Sequence, residues 1–188
     1  VLGGAVDAVG AEKAGRFIQL CDAFSLPIVA LADTPGFMVG PESDADAAVR
    51  RMSRMFVAGV AAKTPWVTLF LRKGYGLGAM AMAGGSFKSP MFTVTWPTGE
   101  FGAMGLEGAV ELGFRKELDA AAKESPEAHK ALYDKLVAKS YERGKGISMA
   151  AFFEIDQVID PMESREGLVM GLKSVPKWKE DGKRRFVD

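Results

Sequence analysis

The stretch VTLFLRKGYGLGAMAMAGG, residues 67–85, carries the pattern that decides the fold. An apolar, β-rich run at 66–71 ends in two cations and a glycine-rich turn, GYGLG at 74–78, and a small apolar helical segment follows at 79–83. A strand that passes through glycines into a helix leaves the first N–H groups of the helix without intrahelical acceptors, at the positive end of its dipole. Such a turn suits an oxyanion, although the same glycines can serve close packing alone.

A second turn of this kind lies earlier in the chain. Residues 28–32 read as a short buried strand, and the DTPGF sequence that follows places the backbone amides of Gly36 and Phe37 just beyond its end. Residues 44–62 have helical spacing and are stopped by Lys-Thr-Pro at 63–65. Strand, helix and strand form a βαβ unit with parallel strands, so both turns are expected at one edge of the sheet, where open α/β folds bind ligands.

The remaining segments complete an α/β prediction. An amphipathic helix is expected at 11–24, with Ala14, Phe17, Ile18, Cys21 and Phe24 on its buried face. Further elements are a strand at 91–96, a helix at 107–114, a charged helical excursion at about 116–146, a short helix at 150–154, a strand at 157–159, a helix that begins near Asp160 and a loosely held tail at 177–188.

Composition excludes several classes of function. The 188 residues are 48% hydrophobic and 26% charged, which suits one globular domain, and 24 cations balance 24 anions, so no net charge recruits nucleic acid or an anionic membrane. No apolar run reaches the roughly 18 residues of a membrane span. The lone Cys21 forbids an internal disulfide and fits a reducing cytoplasm. Because the chain begins with Val, we expect a piece of a longer polypeptide.

Side-chain chemistry is sparse near the predicted edge. The sequence shows no metal-ligand cluster, no Gly-x-Ser-x-Gly elbow and no P-loop. The single histidine, His129, is expected in solvent, and Cys21 in the core. Arg72 and Lys73 either attract an anion or pair with carboxylates, and Glu107 is expected to open a helix. Backbone donors are abundant, so a reaction that needs stabilisation of an enolate fits best.

These residues carry a family resemblance. The GYGLGAMAM sequence at 74–82 is similar to the oxyanion-hole turn and helix of the crotonase superfamily. The chain as a whole resembles the carboxyltransferase β subunits of biotin-dependent acyl-CoA carboxylases, of the acetyl- and propionyl-CoA carboxylase type. The resemblance rests on these motifs in order: GG at 3–4, RFIQLCDAF at 16–24, DTPGF at 33–37, RKGYG at 72–76, WPT at 96–98, MGLEGAV at 104–110, YERG at 141–144 and IDP at 159–161.

The resemblance implies a crotonase-like ββα superhelix with peripheral helices, and identifies residues 1–188 with the C-terminal, biotin-side domain of such a subunit. It implies transfer of a carboxyl group from N-carboxybiotin on a carrier protein to the α carbon of an acyl-CoA. The active site would form with the N-terminal domain of another protomer in a homo-oligomer served by a biotin carboxylase, so the fragment alone is expected to be inactive.

The same resemblance assigns site residues by position. The Gly78 and Ala79 amides would form the oxyanion hole for the biotin enolate, and Gly36, Phe37, Gly76 and Tyr75 would line the biotin side, with no metal. Family members often read Tyr-Gly-Gly-Ala-Tyr where this chain has an extra leucine, so the choice between Gly78 and Gly76 stays open. Two other functions also stay open: a stand-alone crotonase-type hydratase, isomerase or decarboxylase, and a non-catalytic assembly domain.

Overall fold

A parallel sheet lies at the centre of the molecule, in a computed structural model that describes residues 3–175. The strand order is β1-β2-β3-β5, and β4 pairs with the carboxyl end of β2; every one of these pairings is parallel. The strands are β1 Ile28–Thr34, β2 Trp66–Tyr75, β3 Phe92–Thr95, β4 Glu100–Gly102 and β5 Gln157–Val158. The predicted α/β class with parallel strands is confirmed.

Helices surround this sheet. They are α1 Ala8–Ala23, α2 Pro41–Ala45, α3 Ala48–Ala61, α4 Gly76–Met82, α5 Leu106–Gly113, α6 Arg115–Glu124, α7 Pro126–Gly144, α8 Gly146–Ala151 and α9 Ser164–Lys173, the last preceded by a 3₁₀ turn at Pro161–Glu163. Within residues 3–175, no helix combines the length and apolar character needed to cross a membrane. The predicted tail at 177–188 lies outside the described residues.

Strand β2 runs four residues further than predicted, through the two cations to Tyr75. Asp33 supports this extension from the neighbouring strand: its carboxylate accepts a bond from the Lys73 amide (3.0 Å) and pairs with the Arg72 guanidinium (3.2 Å). The short strand β4, which the sequence did not predict, pairs with the added residues. Charged side chains are compatible with a strand here because Arg72 and Lys73 have access to solvent.

Helix α1 buries only part of the predicted face: Ile18 is buried and Ala14 packs against the core, but the two phenylalanines are not buried. Most of its buried residues are small, including Ala11 and Gly15, whereas Phe17 and Phe24 are 61% and 60% exposed. At Gly15 a side chain would come within 3.5 Å of the Arg54 carbonyl, so α1 and α3 approach closely through small residues. This close contact turns the phenylalanines outward, and the prediction that both are buried is wrong. Cys21 is buried, as predicted.

The predicted single crossover helix at 44–62 is two helices. Ala47 adopts a left-handed conformation (φ 53°) between α2 and α3, and this residue interrupts the helical hydrogen-bond ladder. The second helix, α3, contributes Met52 and Met55 to the core beneath β1.

Three phenylalanine rings pack under the carboxyl end of β2. Phe70 is fully buried, and its ring centroid lies 5.3 Å from that of Phe87 and 5.1 Å from that of Phe101, both edge-to-face. Gly74 is required beside them, because a side chain there would approach the Phe101 ring within 2.7 Å. The cluster therefore fixes the position of the last residues of β2.

The chain after β4 is mostly helical. Ser125 caps α7 by accepting a bond from the Ala128 amide (3.0 Å), and Asp160 and Glu163 form the predicted capping box. The short helix expected at 150–154 lies earlier, at Gly146–Ala151. Its first residue is Gly146, where a side chain would come within 2.5 Å of the Thr95 methyl group.

Candidate functional site: two backbone turns at the edge of the sheet

Strand β2 meets helix α4 without an intervening loop. Tyr75 is the last residue of the strand and the N-cap of the helix, and Gly76 is the first helical residue, with φ 59°. A side chain on Gly76 would lie 2.8 Å from the Ala103 carbonyl oxygen, so only glycine fits this reversal. The predicted loop at 74–78 and helix at 79–83 are thus corrected: the helix starts at Gly76.

This start decides which amides of α4 are available. The N–H groups of the first three residues, Gly76, Leu77 and Gly78, have no intrahelical acceptor, because the residue four positions earlier lies outside the helix. Ala79 is the fourth residue, and at this position an α-helical N–H faces the carbonyl of the cap, here Tyr75. Gly78 and Ala79, both predicted for the oxyanion hole, are buried.

The second predicted turn follows β1. The Gly36 N–H donates to Thr34 Oγ1 (3.1 Å), and the Gly36 carbonyl accepts from the Val6 amide (3.0 Å). The Met38 amide donates to the Val6 carbonyl (2.8 Å). These bonds engage both backbone groups of Gly36, whereas the Phe37 N–H takes no part in them.

The two turns touch through backbone atoms. A side chain on Gly78 would lie 2.6 Å from the Gly36 carbonyl carbon and 2.8 Å from the Phe37 nitrogen. Gly36 itself needs glycine, with φ 118° and the Tyr75 carbonyl oxygen 3.3 Å from its Cβ position. The structure therefore brings Gly36, Phe37, Tyr75 and Gly78 together at the carboxyl edge of the parallel sheet.

A cavity of about 680 Å³ opens beside the first turn of α4. Its wall is mostly apolar, and Arg143 and Ser140 of α7 contribute the polar side chains. The lining residues are Gly76, Leu77, Met80, Phe87, Phe101, Gly102, Ala103, Leu106, Ser140, Arg143, Gly144 and Met149. Sequence reasoning missed the contribution of α7, although the YERG motif at 141–144 was a signal for it.

Two tyrosine–glutamate pairs flank this cavity. Tyr75, only 4% exposed, donates its hydroxyl to Glu100 Oε2 (2.9 Å), and Tyr141 donates to Glu107 Oε1 (2.7 Å). Burial, and next the bond to Glu100, raise the pKa of Tyr75 far above its usual range. The bond to Glu107 raises the pKa of Tyr141 to about 12, and the same bond lowers the pKa of Glu107. Both tyrosines therefore stay protonated donors at neutral pH.

The other side chains singled out in the sequence lie elsewhere. His129 is half-buried on α7 and stacks on Tyr133 (ring centroids 6.5 Å apart), and burial raises the pKa of the Cys21 thiol. Arg72 is paired with Asp33, and Glu107 is the second residue of α5, as expected for a helix-opening carboxylate. In the described part of the chain, no three histidine, cysteine or carboxylate side chains are placed to hold a metal ion.

Known proteins are similar to this chain in sequence and architecture. Residues 1–185 match the carboxyl transferase domain family. The chain is 35% identical over 176 residues to the biotin-dependent acetyl-/propionyl-coenzyme A carboxylase beta6 subunit of Mycobacterium tuberculosis, an alignment that covers 93% of this chain and 36% of the relative. The chain thus spans about a third of the length of that relative.

Two solved structures extend the comparison. A single-chain, multi-domain long-chain acyl-CoA carboxylase superposes with a TM-score of 0.78 at 54% identity, covering 90% of this chain and 16% of that chain. The transcarboxylase 12S hexamer, solved with methylmalonyl-CoA and methylmalonic acid bound, gives a TM-score of 0.82 at 28% identity, covering 98% of this chain and 35% of that chain. The fold is the crotonase-like α/β fold that the sequence predicted, and the chain belongs to the carboxyl transferase domain family.

Proposed function

We propose that this chain is the biotin-side domain of an acyl-CoA carboxylase carboxyltransferase, which moves a carboxyl group from N-carboxybiotin to the α carbon of an acyl-CoA. The observation that carries the proposal is the backbone contact between the Gly36–Phe37 turn and Gly78 at the start of α4. This contact places N–H groups of two turns at one edge of the sheet, where developing negative charge on an oxygen needs donors.

The proposed reaction requires few reactive side chains. When the bond between the ureido nitrogen and the carboxyl group breaks, its electron pair stays on biotin as a ureido enolate and CO₂ is released. The acyl-CoA enolate captures the CO₂, and the proton from the α carbon returns to the ureido nitrogen, so atoms and charge balance. A preorganised donor to an oxyanion is worth about 10²- to 10³-fold in rate. Backbone amides at a helix start supply such donors without reorganisation.

The start of α4 refines which amides we propose. Gly78 keeps its proposed place in the oxyanion hole, since its N–H has no intrahelical acceptor. Leu77, which meets the same condition and lines the cavity, is a better second donor than the predicted Ala79. On the turn after β1, the Phe37 N–H is the proposed contact, because the Gly36 N–H is already bonded to Thr34.

The name of the biotin-dependent relative supports biotin as the cofactor of this chain. We propose carboxybiotin on a carrier protein and an acyl-CoA as co-substrates, a biotin carboxylase as the supplier, and the N-terminal domain of another protomer as the second half of the site. The transcarboxylase 12S relative is a hexamer, which supports a homo-oligomer. The lone buried Cys21 supports a cytoplasmic location.

Reconstitution tests this proposal. The polypeptide that carries this chain is combined with a biotin carboxylase and a biotinylated carrier, and ¹⁴C transfer from bicarbonate to a series of acyl-CoAs is measured. The expected result is acyl-CoA carboxylation that disappears when the carrier lacks biotin. Hydration of enoyl-CoA or decarboxylation of malonyl-CoA without biotin would instead indicate a stand-alone crotonase-type enzyme. Biotin-dependent transfer unaffected by a blocked Gly78 turn would indicate an assembly role.

A further inference from the structure

Tyr75, which was predicted to line the biotin side, is not among the residues that line the cavity. Tyr75 is 4% exposed, and its hydroxyl donates a hydrogen bond to Glu100 Oε2 (2.9 Å). A side chain that is buried and hydrogen-bonded in this way fixes the positions of the two backbone segments that the bond joins. Tyr75 is also the N-cap residue of α4, so whatever fixes Tyr75 fixes the start of that helix.

Glu100 immediately precedes three residues that line the cavity, Phe101, Gly102 and Ala103. It is the first residue of β4, whose pairing with β2 sets Tyr75 opposite Gly102. Its backbone also forms a bridge with Lys145, at the junction of α7 and α8. The Tyr75–Glu100 bond therefore ties the strand that leads into α4 to the segment that carries Gly102 and Ala103.

The end of β2 at Tyr75 and Gly76 lies close to the segment at Gly102 and Ala103. Ala103 presents its carbonyl oxygen 2.8 Å from the Cβ position of Gly76, and the Tyr75 ring lies 3.5 Å from the Cβ position of Gly102. Both segments line the 680 Å³ cavity. A shift of Tyr75 would therefore move the amides of Gly76–Gly78 relative to the segment at Gly102 and Ala103.

We propose that Tyr75 is a positioning residue for carboxyl transfer, whose buried bond to Glu100 holds the first turn of α4, and its amides, against the segment at Gly102 and Ala103. The inference rests on the proposed function, since it assigns Tyr75 to the support of the oxyanion hole rather than to contact with biotin. Donors that act mainly in the transition state affect kcat more than KM.

The test uses the reconstituted enzyme with Tyr75→Phe, Glu100→Ala, Glu100→Gln and the double variant Tyr75→Phe/Glu100→Ala. Tyr133→Phe is the matched control, because Tyr133 stacks on His129 in the peripheral helices and does not line the cavity. We expect Tyr75→Phe and Glu100→Ala each to lower kcat about 10-fold, with the KM for biotinylated carrier within about twofold, since displacements near 1 Å cost up to about 10²-fold.

Two further results are expected of this set. Glu100→Gln keeps an acceptor oxygen and should restore kcat to within about threefold of wild type, and the double variant should be no slower than the slower single variant. A kcat of Tyr75→Phe within twofold of wild type would overturn the inference. So would a tenfold rise in KM at unchanged kcat, which would mark Tyr75 as a direct biotin contact.

Hydrogen exchange separates this inference from the proposed function. The amides of Met80 to Met82 report opening of α4, and we expect them to exchange about tenfold faster in Tyr75→Phe than in wild type or Tyr133→Phe. Unchanged exchange would overturn the positioning role even in an active enzyme. Absence of biotin-dependent transfer in the wild-type enzyme would contradict the proposed function. The exchange rates would still decide whether Tyr75 holds α4 in place.

Discussion

Replacing Gly78 with alanine perturbs the contact between the two backbone turns directly. The new methyl group would lie 2.6 Å from the Gly36 carbonyl carbon, 2.8 Å from its Cα and 2.8 Å from the Phe37 nitrogen. All three are backbone atoms, so no flexible side chain can swing away. To reach an ordinary contact of 3.4 Å, the turns must separate by about 0.8 Å.

This separation has a cost in stability and a larger cost in rate. Overpacking of this kind costs about 1–3 kcal/mol, partly offset by about 0.5–1 kcal/mol because alanine is the better helix residue. A displacement near 1 Å at a reacting centre costs about 10²-fold, which corresponds to about 2.7 kcal/mol of transition-state stabilisation. We therefore expect kcat for biotin-dependent carboxylation to fall about 100-fold.

The assay is steady-state carboxylation by the reconstituted enzyme, with circular dichroism to confirm that Gly78→Ala is folded. Gly167→Ala is the control, because Gly167 lies in α9 with no heavy atom within 4 Å of its Cβ position. The kcat of this variant should stay within twofold of wild type. A folded Gly78→Ala enzyme with the kcat of wild type would refute the reasoning, because the close approach of the turns would then have no bearing on transfer.

Two further predictions concern the packing that supports the site. Phe70→Ala should lower the free energy of unfolding by about 3–5 kcal/mol in urea titrations, since Phe70 is fully buried between two rings; Phe152→Ala, at 78% exposure, should change it by less than about 0.5 kcal/mol, and equal effects would contradict the core assignment. Glu12→Gln should lower the thermal midpoint at pH 7, because Arg51 bonds Glu12 across α1 and α3 (2.9 Å) and lowers its pKa. A glutamate whose pKa is lowered in the folded state stabilises that state at pH values above its ordinary pKa of about 4.3, and this stabilisation is lost as the pH falls through the folded-state pKa. The difference in thermal midpoint between wild type and Glu12→Gln should therefore close in acid. A constant difference would contradict the pairing.

The sequence predicted the sheet well because local and tertiary signals agree there. Buried apolar runs bounded by turn residues indicated β1, β2 and β3, and the intervening helix implied that β1 and β2 are parallel. The carboxyl ends of these strands then had to meet at one edge. The proximity of Gly36 and Gly78 is a consequence of that topology.

Other features depend on contacts that periodicity cannot show. Phe17 and Phe24 belong to the same predicted apolar face as the buried Ile18, but the close approach of α1 and α3 leaves both phenylalanine rings exposed. Arg72 and Lys73 looked like the end of a strand, and only the Asp33 carboxylate on the neighbouring strand shows why it continues. The start of α4 at Gly76 follows from a positive φ beside Ala103, a segment far away in sequence.

The side chains around the cavity were the hardest to predict. Tyr75 and Glu100 are 25 residues apart and meet through β4, a three-residue strand with too few residues for a periodic signal. Ser140 and Arg143 reach the cavity from α7, whose charged sequence indicated a peripheral helix and nothing about its docking. Such residues become visible only when the fold places their elements side by side.

The most direct test of the central claim is a structure of the assembled enzyme with the biotinylated carrier bound, in which the distance from the ureido oxygen to the backbone nitrogens of α4 is measured. We predict about 2.7–3.1 Å from the ureido oxygen to the amide nitrogens of Gly78 and Leu77, with the Phe37 amide facing the same crevice. A ureido oxygen bound by side chains, or more than about 4 Å from every amide of the first turn of α4, would contradict it.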